Sequence, residues 1–171
     1  MKNRPTRGVL ALGVAVVLGP VLASCSTATN GGSAGARGQV PSWDEDATPA
    51  SVSKQPGVEI PAAATDRRAA YQNGFQDDGL LPAFSLSTSE VDAFVTGPAP
   101  QGELTRREKP LRKSVKPTTP FPHLGLAEPE TLPDVQEGQI RAPCEGRLNS
   151  LQIAVHPLDD RAGRVYLRGV G

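Results

Sequence analysis

Few residues in this chain of 171 have a type and a setting that could do chemistry. Cys25 comes first: it closes an apolar run and follows the small pair Ala23-Ser24, where a thiol is open to modification at a bilayer surface. Cys144 is the only other cysteine, in Arg141-Ala142-Pro143-Cys144-Glu145-Gly146-Arg147. Arg141 and Arg147 favour its thiolate and Glu145 opposes it. With Cys25 modified, an odd cysteine outside the cytoplasm points to an intermolecular disulfide, and a free thiol fits equally well. His123 and His156 could partner Cys144 on residue type alone, but neither sits in a nucleophile motif. Asp77, Asp78, Glu90 and Asp92 have no calcium-loop spacing, and turn formation and helix capping account for all four.

Other site chemistries are absent by pattern. No CxxC or HxxxH pair offers a zinc site, and no Walker A, strand-placed GxGxxG or GxSxG is present. Gly31-Gly32-Ser33 is linker chemistry. The sequence therefore predicts no catalytic residues, no metal, no cofactor and no enzyme activity.

The elements around Cys25 say what its chemistry is. Lys2, Arg4 and Arg7 form a basic head, and an apolar run follows from Gly8 to Ala23. That run is shorter than the ~20 residues a spanning helix needs, and Gly13, Gly19 and Pro20 weaken it further. Leu22-Ala23-Ser24-Cys25 resembles the lipobox that ends a bacterial lipoprotein signal peptide. The resemblance implies cleavage before Cys25, a diacylglycerol thioether on its sulfur and acylation of its new amine. Each buried acyl methylene contributes ~0.8 kcal/mol, so two or three chains give durable anchoring. Secretion after cleavage elsewhere, or retention as an uncleaved anchor, remain the alternatives for this segment. In Gram-negative cells a Ser at the position of Ser26 is compatible with export to the outer membrane, facing the periplasm.

Composition predicts little core. About one residue in five of 25–171 is Leu, Ile, Val or Phe, near the level at which chains stay disordered. The chain has 18 Gly and 17 Pro, with one Trp, two Tyr and four Phe. Its formal net charge is zero, which excludes global electrostatic binding of nucleic acid. The expected fold is a mostly disordered or extended lipoprotein with a small C-terminal β-hairpin, one or two short helices and no large core.

The order along the chain follows from local signals. Residues 1–24 form the signal peptide and 25–64 a lipidated tether, Ser/Gly-rich at first and proline-punctuated later. Trp43, before Asp44-Glu45-Asp46, is either a partner anchor or a headgroup-zone residue. In 65–97, Thr65 is read as capping a short helix over Asp66–Gln72, and Ser87-Thr88-Ser89-Glu90 as a capping box for a second helix through Val95. Residues 98–139 read as a Pro-rich, extended linker, basic from Arg106 to Lys116 and acidic from Glu128 to Glu137. No aromatics interleave with the basic block for base stacking.

Residues 140–171 carry the clearest alternation. Leu151, Ile153 and Val155 share one face, as do Val165 and Leu167, across turn-forming residues from Pro157 to Gly163. An isolated hairpin is marginal in water and exposes both edges, so these five residues are expected to pair with a partner's sheet. The predicted partners are thus membrane lipid at acylated Cys25 and a larger envelope protein at residues 147–170. The stretch Leu151-Gln152-Ile153-Ala154-Val155-His156-Pro157-Leu158-Asp159-Asp160, with Tyr166 beyond it, resembles the strand-turn-strand of TraV-like conjugal type IV secretion lipoproteins. Gln152 stands where that pattern has Trp, and two residues separate Ala154 from Pro157. The resemblance implies a structural part of a secretion channel's outer ring. A surface lipoprotein that captures a ligand is a further alternative; seven aromatics are few for such a pocket, and no small-molecule substrate is expected.

Overall fold

Three neighbouring strands hold about half of the buried large apolar side chains. The computed structural model describes residues 41–97, 102–114, 120–141 and 148–171. Its elements are β1 (Ser42–Trp43), α1 (Pro49–Lys54), β2 (Thr65–Asn73), β3 (Gly79–Ser87), α2 (Thr88–Thr96), β4 (Thr105–Arg106), β5 (Gln136–Arg141), β6 (Ser150–Pro157) and β7 (Ala162–Val170). Two 3-10 turns, Phe121–Leu124 and Pro129–Thr131, lie between β4 and β5. The strands form one seven-stranded sheet in the order β1-β2-β3-β7-β6-β5-β4, antiparallel at each step. Strands from 25–64, 65–97, 98–139 and 140–171 all enter it, so these segments do not fold as separate pieces.

This corrects the expectation of an extended chain without a large core. The apolar residues are few but placed where strand alternation aims them at two buried layers. On one face Leu80, Phe84, Leu86, Leu151, Ile153, Val155, Val165 and Leu167 pack under Val52 near the end of α1 and Val91 and Phe94 of α2. Phe84 meets Phe94 edge to face, 5.2 Å between centroids. On the other face Ala70, Leu81, Ala83, Ala154 and Tyr166 are covered by Phe121, Leu126 and Val135. Each large side chain so buried contributes ~1.5–3 kcal/mol of transfer free energy. The stretch read as an extended spacer therefore supplies the lid of the second layer, strands β4 and β5, and both 3-10 turns.

Two local readings fare differently. Asp66–Gln72 is not a helix but part of β2, with Ala69 and Tyr71 on one face and Arg68 and Ala70 on the other. Its helix-forming composition yields to pairing with β3, which a weak local propensity cannot resist. The register slips between Thr65 and Arg68, where Asp66 takes φ +43°. At α2 the Ser87–Glu90 capping box forms, with Glu90 accepting from Ser87 N at 3.0 Å and Ser87 Oγ at 2.6 Å. Strand β3 is buried on both faces and contains Pro82, which has no N–H to donate. Accordingly the β3–β7 ladder pairs Leu80 with Gly169 and resumes at Ala83 with Tyr166, passing over 81 and 82.

Candidate functional site

The residues expected to act are distributed as follows. Cys25 with Leu22, Ala23 and Ser24, and Cys144, lie outside the described residues. Leu151, Val165 and Leu167 have no exposed surface (0 %), and Ile153 and Val155 are also buried. Strand β6 lies between β7 and β5, and β7 between β3 and β6, so the hairpin of residues 147–170 has no free edge. The expected partner contact through these five side chains is corrected: their contacts are made within the chain. The outermost strands, β1 and β4, are each two residues long, so most of β2 and of β5 has no further strand beside it among the described residues.

Most polar candidates are taken up by structure; Asp92 is not, being exposed with no side-chain partner among the described residues. Asn149 Nδ2 donates to Asp77 Oδ1 at 2.7 Å. Tyr71 donates to Asp78, whose other oxygen accepts from Gly74 N at 3.0 Å. Burial first, and Asp78 second, push the Tyr71 hydroxyl up to about 12. His123 stacks flat on Trp43, 3.8 Å between ring centroids at 7°. His156 is half-buried, and that burial, with Arg164 nearby, holds its imidazole below the usual range. Among the described residues no group of three His, Cys, Asp or Glu is placed to hold a metal ion.

Besides a smaller hollow of about 470 Å³ beside α1, two concavities among the described residues bear on function, and neither is marked by a sequence motif. The first, about 660 Å³, lies on the lid face over β5, β6 and β7, with Gln139, Gln152 and Arg168 in one cross-strand row. Beneath its wall, Arg168 (6 % exposed) is ion-paired to Glu128, and its other terminal nitrogen lies 3.8 Å from Glu130 (1 % exposed). Glu128 also accepts from Phe121 N at 2.9 Å, and the guanidinium sits 5.0 Å above the Phe121 ring. Burial, reinforced by Glu130, pushes the Glu128 carboxyl up despite Arg168. This cluster fastens the lid; Arg168 Nε is itself buried without a hydrogen-bond partner among the described residues. Alternation on β7 puts Arg168 beside Tyr166 on the lid face, but Glu128 and Glu130 carry no local signal of burial.

The second concavity, about 780 Å³, opens on the helix face between α2, the segment 102–104 and the β6–β7 turn. Its floor is Val91, Val95, Leu104 and Val155, and its rim carries Asp92, Glu103, Asp159 and Asp160. Strand β5 approaches the groove at Gly138, where an added Cβ would fall 2.5 Å from Leu104 Cδ2. No local sequence signal marks this site, because its rim is drawn from α2, the segment 102–104 and the β6–β7 turn.

No protein-family model, no curated protein and no solved structure matches this chain.

Proposed function

We propose that this chain is a lipid-anchored protein of the bacterial cell envelope, outside the cytoplasm, whose folded part serves a structural, docking role without catalysis. The observation that carries the reading is Leu22-Ala23-Ser24-Cys25, placed directly after a basic head and a short apolar run. The geometry supports the docking half in two ways. Asp78 and Glu90 are engaged in a turn and a helix cap, and Asp77 accepts from Asn149, which fits a structural use of these carboxylates. The open groove on the helix face leaves surface for a partner where the buried hairpin leaves none. No described helix is long and apolar enough to cross a membrane, so attachment in this reading depends on Cys25.

Metabolic labelling with a fatty-acid analogue tests the anchor. Wild type should take up label and fractionate with membranes, and Cys25→Ala should lose both. Labelling that survives the substitution would refute the lipoprotein assignment. Docking is tested by crosslinking in cells, comparing wild type with substitutions on the groove rather than with removal of the hairpin.

A further inference from the structure

We propose that the groove between α2 and the β6–β7 turn is the docking site, and that it receives a basic segment of a partner protein in which Lys or Arg residues are interspersed with aliphatic ones. The inference rests on the docking reading above and names the chemistry of the partner. Its first support is the floor: Val95 and Leu104 are only half-buried, and Val91 and Val155 lie beneath them. Four apolar side chains drawn from α2, the 102–104 segment and β6 thus converge on one open concavity, where an inserted apolar group loses water contact.

Charge supplies the second support. The described lining contains four carboxylates and no Lys, Arg or His. Asp159 is used locally, accepting from Arg161 N at 2.7 Å and Ala162 N at 2.9 Å to close the turn. Asp92, Glu103 and Asp160 have no side-chain hydrogen bond or ion pair among the described residues, and all three are exposed. Several carboxylates elsewhere on this domain are matched within the chain, as at Arg106–Asp134, Arg107–Glu137 and Arg164–Asp66; others, such as Glu45, Glu59 and Glu108, stand singly, whereas the groove gathers its carboxylates around one apolar floor. Only a cationic occupant relieves repulsion among the rim carboxylates, and a neutral or acidic apolar segment would not. Lys and Arg suit the shape as well, since their methylene stems can lie on the apolar floor while the charge reaches the rim.

The test uses the full chain in a non-ionic detergent, with micelles alone as the blank. Three fluorescent peptides of equal length are compared by anisotropy: alternating Lys and Leu, alternating Glu and Leu, and alternating Lys and Ser. The Lys/Leu peptide should bind saturably and the Glu/Leu peptide should not. Val95→Ser should weaken Lys/Leu binding by on the order of tenfold. The exposed pair Asp92→Asn with Glu103→Gln should weaken it comparably and flatten its salt dependence; thermal unfolding followed by circular dichroism checks that each variant is folded. Equal binding of Lys/Ser and Lys/Leu, or Lys/Leu binding indifferent to both variants, would overturn the proposal. So would self-association of the chain in sedimentation that Val95→Ser abolishes, which would give the groove to a second copy. Peptide binding does not require acylation, and acyl labelling does not require the groove, so failure of this inference and failure of the anchor are read separately.

Discussion

Two side-chain pairs near the β2 edge make the fold accessible to spectroscopy. Trp43 is the only tryptophan, and it stacks on His123, which stands in the first 3-10 turn of the lid. Its emission therefore reports whether the lid is seated on the sheet. Replacing His123 with Ala should shift Trp43 emission to the red by exposing the ring, while far-ultraviolet circular dichroism stays unchanged. An unshifted spectrum would mean that the stack does not form in solution. Next to Gln72, the β2 partner of Trp43, Tyr71 donates to Asp78 and its hydroxyl is held up to about 12, against an ordinary value near 10. The folded state thus prefers the protonated phenol. The stabilisation is fully present below about pH 10 and is lost as pH rises through 12. Burial also raises the Tyr166 hydroxyl, so absorbance titration at alkaline pH should show both tyrosines titrating late, and Asp78→Asn should bring down the Tyr71 midpoint alone.

The lid, rather than any strand, is the element whose attachment is electrostatic. Arg168 holds Glu128 and faces Glu130, and all three side chains are nearly buried. Removing the cation leaves two buried carboxylates, so Arg168→Leu should cost about 3–5 kcal/mol at pH 7. The Glu128 carboxyl is raised in the folded state even with Arg168 present, so its ionisation opposes folding. That group's contribution to stability is greatest below its unfolded value and declines as pH rises through the folded one. Urea titrations should therefore show the Arg168→Leu deficit shrinking from pH 7 to pH 5; a deficit that grows on acidification would exclude this account. Such an element is poorly legible in sequence. The α2 capping box and the alternation of β6 and β7 are local patterns, and each is present where the spacing places it. The lid is the opposite case: prolines from Pro120 to Pro133 argue for an extended spacer, and only the sheet beneath turns Phe121, Leu126 and Val135 into core. Strand β2 fails for the same reason, since Arg-Arg-Ala-Ala favours a helix until β3 is there to pair. The groove is less legible still, because contacts among α2, 102–104 and 159–163 exist only once the sheet has closed.

At the scale of the whole molecule, the placement of β7 decides what truncation does. The last strand in the chain is central in the sheet, paired with β3 along one edge and with β6 along the other. It carries Val165, Tyr166 and Leu167, so it feeds both core layers at once. Its glycines are part of that fit: a Cβ at Gly169 would lie 3.0 Å from Leu148 Cδ1 and 3.2 Å from Leu80 Cδ1. Gly169→Ala should therefore destabilise by about 1–3 kcal/mol through overpacking. Removing residues 147–171 does far more, because β1, β2 and β3 lose their only link in the sheet to β5 and β4. If the hairpin were an appended docking piece, the shortened chain would keep a cooperative thermal transition and lose only its partner. With β6 and β7 inside the sheet, it should show no cooperative transition and should be cleaved readily by protease within residues 41–141. A retained transition with native-like protection would place the core elsewhere and reopen the hairpin as a binding surface. Loss of partner binding in such a truncation would follow from unfolding, so it would say nothing about docking. The groove substitutions avoid this ambiguity, because Asp92 and Glu103 stand at the surface of a sheet they do not hold together.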